Sequence, residues 1–154
     1  MLKIKFLLIV FCFAAGLVNG QGIINWTADG QGYYKVTAEG IATVNPKTDA
    51  EALVTGKALL TPAGSTTALR PQSFDYSNDR TKILLFTNTA KVWRYRTRGD
   101  YWVLNTTSNQ LKKLGKGLAD RSLMFAKFSP DNKYVAYVSE SNLYVEDINT
   151  SQIR

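Results

Sequence analysis

The chain contains no histidine. Ser-His-Asp and Cys-His catalytic sets therefore cannot be assembled from its own residues. A His/Cys cluster for zinc is excluded as well. The one cysteine, Cys12, lies in an apolar run near the start. Beyond it there is no thiol for a disulfide, so the remainder must be held by packing. After Gln21 no segment shows a long 3.6-residue apolar period, which argues against a helical domain. No Gly-x-Ser-x-Gly nucleophile elbow occurs. Acidic residues are in deficit, 12 against 19 Lys and Arg, for a formal net charge of +7. The positive charges are scattered except at Lys91–Arg98, the pattern of a solvated surface and not of a nucleic-acid footprint. No nucleic acid, metal or cofactor is expected to bind.

What the N-terminus does contain is a targeting pattern. Lys3 and Lys5 precede the apolar stretch Phe6–Val18, which ends in Asn19-Gly20-Gln21. This predicts a secretory signal peptide over residues 1–20, cleaved before Gln21. The run falls short of the roughly 20 residues a membrane span needs. An uncleaved N-terminal anchor is the alternative. Cys12 follows the bulky Phe11, which does not suit a lipid-anchor cysteine. The expected destination is the periplasm or the extracellular space.

From Gln21 on, short runs of β-branched and aromatic residues are bounded by Gly, Asn, Asp and Ser, an all-β signature. The expected strands are 33–36, 41–44, 52–54, 83–87, 101–104, 123–128, 134–138 and 143–147. A repeat runs through them. Trp26-Thr27-Ala28-Asp29, Tyr76-Ser77-Asn78-Asp79 and Phe128-Ser129-Pro130-Asp131 each precede a strand, with hydroxyl residues 50 and 52 positions apart. Short polar side chains bond nearby amides and tolerate the bend that follows. Each unit then has a second strand ending in a polar turn. Short third strands follow at Glu51–Thr55 and Gln110–Leu114.

Four short strands repeating at such a period mark a β-propeller blade. The fold class is all-β, a partial propeller of about two and a half to three antiparallel blades, where closed rings have about 4–8. The expected domain is an incomplete N-terminal propeller over 21–154, with blades near 26–57, 72–115 and 123–154. The stretch 58–71 reads as a connection between blades. The chain is expected to be the N-terminal piece of a longer protein.

Comparison of units two and three locates an irregularity. Val138 and Leu143 are joined by the four residues Ser139–Asn142, whereas Phe86 and Tyr101 are separated by the fourteen residues Thr87–Asp100. The excess includes Trp93, Arg94, Tyr95, Arg96 and Arg98. Arginine presents five donors in a planar fork suited to carboxylates and carbonyls. Composition alone leaves two readings open, a binding insertion on a rigid scaffold or a longer hairpin with solvated arginines.

Thr87-Asn88-Thr89-x-Lys91-Val92-Trp93-Arg94-Tyr95, with Thr97-Arg98-Gly99-Asp100-Tyr101-Trp102-Val103, resembles the N-terminal propeller of the dipeptidyl peptidase IV family, particularly its bacterial members. So does Leu123–Asp131 with Val135–Val138 and Asn142–Asp147. The resemblance implies a parent serine exopeptidase that releases Xaa-Pro or Xaa-Ala dipeptides from free peptide N-termini. It implies a C-terminal α/β-hydrolase domain in the same parent chain, and a homodimer. It assigns Arg94 a substrate-binding role near the carbonyl of the second residue, with Trp93 and Tyr95 supporting its geometry. The family's amine-binding glutamate pair and its catalytic Ser, Asp and His are not in this chain, so no catalytic residue is expected and the fragment alone should be inactive. The alternatives are an exported propeller that only binds protein or glycan, and a related endopeptidase or acylaminoacyl peptidase.

Overall fold

The computed structural model describes residues 24–154. The signal peptide expected over 1–20, with Cys12, lies outside the described residues. Strands β1 (Asn25–Trp26), β2 (Tyr33–Thr37), β3 (Gly40–Val44) and β4 (Glu51–Gly56) form an antiparallel sheet in sequence order. A single 3-10 turn, Lys57–Leu60, opens the connection expected at 58–71. Next come β5 (Ser73–Tyr76), β6 (Lys82–Val92), β7 (Tyr95–Asn105) and β8 (Gln110–Lys113), then β9 (Leu123–Phe128), β10 (Tyr134–Ser139) and β11 (Asn142–Asp147). The meander repeats three times, as the repeat predicts, and the third unit's fourth strand begins with an Ile153–Glu146 bridge.

Three features extend the sequence reading. The strands β1 and β5, which start the first two units, were not expected. Both are short and half polar, so they carry no alternating apolar signal. The residues 87–100 are not a loop but a continuation of β6 and β7. Units two and three are also not separate sheets. Arg98 and Gly99 of β7 pair with Met124 and Leu123 of β9, merging them into one seven-stranded sheet.

The middle unit is the centre of the packing because its strands are apolar on both faces. On β6, Ile83 and Leu85 join Ile41, Leu60, Phe74 and Leu104 in one core against the first unit. Their neighbours Leu84 and Phe86 join Tyr101, Val103, Leu123, Val135 and Tyr137 in a second core against the third. The period of two in strand geometry sends alternate side chains to opposite faces. Leu60 explains the 3-10 turn, since it plugs the first core from the connection. In the second core, buried Glu146 accepts hydrogen bonds from the Gly115 amide (2.8 Å) and the Tyr137 hydroxyl (3.0 Å), tying the two units together. Burial pushes the Tyr137 hydroxyl's pKa up, and the neighbouring Glu146 carboxylate adds to this.

The Ser/Thr-x-Asp turns are one structure built three times. The Ser77 hydroxyl donates to Asp79 (2.6 Å) and accepts from the Lys82 amide (2.9 Å). Thr27 does the same with Asp29 (2.6 Å) and Gly32 (3.0 Å), and Ser129 with Asp131 (2.6 Å) and Tyr134 (3.0 Å). The residue after each Asp is left-handed, at φ 67 for Gly30, 57 for Arg80 and 58 for Asn132. The donated hydroxyl bond holds each carboxyl below its ordinary value, Asp79 at about 2. Strand directions put these three turns at one end of the sheets and the 87–100 extension at the other.

Candidate functional site

The extension is a two-stranded arm on the middle unit. Its rungs are Ala90 with Arg98, Lys91 with Arg96, and Val92 with Tyr95. Trp93 and Arg94 alone form the turn, and Trp93 takes φ 57. The ladder is interrupted between Thr87 and Ala90, where Asn88 has φ 45. A bulge of this kind adds twist and aims what lies beyond it.

The arm is fixed at its base through Asp100, a carboxylate only 6% exposed. Asp100 accepts from the Asn88 side-chain amide (2.8 Å) and the Arg121 main-chain amide (2.9 Å), and Lys113 lies 3.3 Å away. Arg121, from the connection between units two and three, reaches back to donate to the carbonyls of Asn88 (3.1 Å) and Thr89 (2.8 Å). The two carbonyls that the bulge takes out of the ladder thus find a partner in Arg121. Gly99 completes the base. A Cβ there would lie 2.5 Å from the Phe86 ring and 2.6 Å from the Thr87 carbonyl oxygen.

The residues singled out in the sequence separate by position. Arg94 sits exposed at the apex, and no described residue forms a hydrogen bond or ion pair with it. Trp93 and Tyr95 are 93% and 73% exposed, so they do not brace Arg94 through packing. Any support they give must come through contact with a bound molecule. Arg96 donates to the Thr89 carbonyl and hydroxyl (3.3 and 3.4 Å), which makes it a brace of the arm. Arg98 sits at the point where β7 meets β9.

Below the arm, between units one and three and over β5, lies a cleft of about 530 Å³. Arg96, Tyr101, Phe125, Lys127, Asp75 and Tyr34 are among its lining residues. The Phe86 and Tyr101 rings stack at 4.6 Å along one wall. Lys127 and Asp75 pair at 2.9 Å. The size falls in the range of ligand sites, and a mainly apolar lining with few polar groups is their usual composition. Among the described residues no group of His, Cys, Asp or Glu is placed to hold a metal ion. The site can bind and orient; it holds no nucleophile with a base beside it.

The anchors Asp100, Asn88 and Arg121 and the cleft residue Phe125 were not identified as site residues from sequence. Asn88 and Asp100 flank the basic-aromatic run in an otherwise β-rich segment, and that was the available signal.

Comparison with known proteins agrees with this layout. A family model described as the dipeptidyl peptidase IV N-terminal region matches residues 77–154, which run from the Ser77 turn of the middle unit through the arm and the third unit. Dipeptidyl aminopeptidase B of Saccharomyces cerevisiae is 31% identical over 77 residues, 50% of this chain and 9% of that protein. A probable dipeptidyl-aminopeptidase B of Aspergillus oryzae is 29% identical over 77 residues, 50% of this chain and 8% of that protein. The chain thus spans under a tenth of the length of these curated relatives. Dipeptidyl peptidase 4 of Porphyromonas gingivalis superposes on 88% of this chain and 19% of its own, with a TM-score of 0.66 and 23% identity. At that identity the likeness concerns the fold, and it supports the partial propeller. With half of its length matched, including the arm and most of the seven-stranded sheet that carries it, the chain belongs to the dipeptidyl peptidase IV N-terminal region family.

Proposed function

We propose that this chain is the substrate-positioning part of an exported serine-type dipeptidyl peptidase. The parent would release Xaa-Pro and Xaa-Ala dipeptides from peptides with a free N-terminus. The triad would come from an α/β-hydrolase domain of the same parent, which would act as a homodimer in the periplasm or outside the cell. The observation that carries the reading is Arg94. It is an unpaired cation at the tip of an arm whose base is locked by Asp100 and Arg121. A rigid base with a free donor is what holding a substrate carbonyl requires, because the geometry is set before the substrate arrives. Trp93 and Tyr95 flank that donor with exposed aromatic surface and would contact the peptide beside it.

The test is Arg94→Ala in the full-length parent, assayed on Gly-Pro and Ala-Pro chromogenic substrates. Loss of a charged donor is expected to cost about 2–4 kcal/mol, roughly 30- to 1000-fold in kcat/KM. An unchanged rate would remove Arg94 from the substrate site.

A further inference from the structure

Phe125 is in an unusual position for a phenylalanine. On β9, Leu123 is buried, and strict alternation would bury Phe125 beside it. The ladder with β10 breaks at this point. Met124 pairs with Val138 and Lys127 with Ala136, so Phe125 and Ala126 together face Tyr137 alone. This is a β-bulge, with Phe125 at φ 56. Ala126 takes the buried place, and Phe125 is turned out, 61% exposed, into the cleft beneath the arm.

A bulky residue in the left-handed region costs folding free energy. Turning an aromatic ring from core to solvent forfeits burial as well. At 61% exposure the ring recovers little of that loss. Tyr101 lines the same cleft as Phe125 and Ala126, and it stacks on Phe86. Phe86 is in turn clamped by Gly99 at the arm base. Phe125 therefore lies beside the Phe86–Tyr101 stack at the arm base, and it shares the cleft with Arg96.

We propose that Phe125 is a specificity-determining contact, the aromatic wall of a subsite that takes an apolar or aromatic side chain of the peptide held by the arm. The inference rests on the peptidase reading above. The side chain would belong either to the first residue of the peptide or to a residue following the released dipeptide.

The experiment uses the full-length parent, with Phe125→Ala and Phe125→Asn. Asparagine tolerates the left-handed backbone, so the second variant keeps the bulge and removes only the ring. One substrate series varies the first residue between Gly and Phe ahead of Pro. The other varies the third residue between Gly and Phe in Gly-Pro-Xaa peptides. The wild type is expected to favour Phe over Gly in one series, and both variants to lose about 3- to 10-fold of that preference in kcat/KM, the worth of one aromatic pair. The series that responds identifies the side chain. A Phe-to-Gly ratio unchanged in both series overturns the proposal. If the wild type releases no dipeptides, the peptidase reading fails separately. Calorimetric titration with Gly-Pro-Phe and Phe-Pro-Gly then decides the subsite. Binding weakened 3- to 10-fold in the variants supports it, and equal binding or none overturns it.

Discussion

Replacing Asp100 by alanine should release the arm while leaving the sheets in place. The side chain is almost fully buried and serves three partners, the Asn88 amide, the Arg121 main-chain amide and the Lys113 ammonium. Truncation leaves two donors facing a void. Each such hydrogen bond to a charged group is worth about 1.5–3 kcal/mol, and its loss leaves an unsatisfied donor. Lys113 adds little to the loss, since it is partly exposed and keeps Asp120. The arm base offers some access to water, so the lower end applies to each, about 3 kcal/mol in all. The assay is amide hydrogen exchange in the full-length protein. An opening free energy lowered by about 3 kcal/mol speeds exchange roughly 150-fold for amides that open locally. The acceleration should be confined to residues 87–100 and 118–124. Lys113→Ala is the control, with an expected cost of about 1 kcal/mol or less. Unchanged exchange in the arm of Asp100→Ala, or equal acceleration throughout both sheets, would refute the anchoring role.

Two further outcomes follow from the fold. Asp29, Asp79 and Asp131 have folded pKa values below the ordinary aspartate value, Asp79 at about 2. A carboxylate shifted down stabilises the fold above its unfolded pKa, and that stability is lost as pH falls through the folded pKa. Acid unfolding should therefore steepen from about pH 4 down to about pH 2. Asp79→Asn should be less stable at pH 7 and show a shallower slope over that interval; identical slopes would contradict the assignment. Gly99→Ala drives a methyl group into the Phe86 ring and the Thr87 carbonyl. It should lower stability by about 1–3 kcal/mol, read as a fall in Tm, and an unaltered melt would mean the arm base yields freely.

Legibility in the sequence followed the range of the interactions. The Ser/Thr-x-Asp turns could be read because every bond in them spans five residues or fewer. The arm could be located by length, because its counterpart in the third unit is a four-residue turn. Its form as a longer hairpin stood open beside a binding insertion, and no local pattern chose between them. Thr87–Val92 has no buried face beyond Thr87, so strand alternation disappears there. The outward turn of Phe125 could not be read for the opposite reason, since Leu123–Phe128 reads as one regular strand. The bulge shows only in the pairing with β10, where Phe125 and Ala126 together face Tyr137. Asn88 and Asp100 at least flank the basic-aromatic run, but no local pattern announces that Arg121, from the next connection, meets them.

The joining of β7 to β9 has a mechanical consequence. Main-chain hydrogen bonds with fixed register resist sliding, whereas a side-chain interface can shear by small rotamer changes. Units two and three share such bonds through Arg98 and Gly99. Units one and two meet through side chains, with Asn25 on the Phe74 carbonyl and Arg80 on the Tyr34 hydroxyl as polar links. Among the described residues the slip plane thus lies between the first and second units. Arg94 and Phe125 stand on the same side of it, so the distance between them is kept when the first unit shifts against the second.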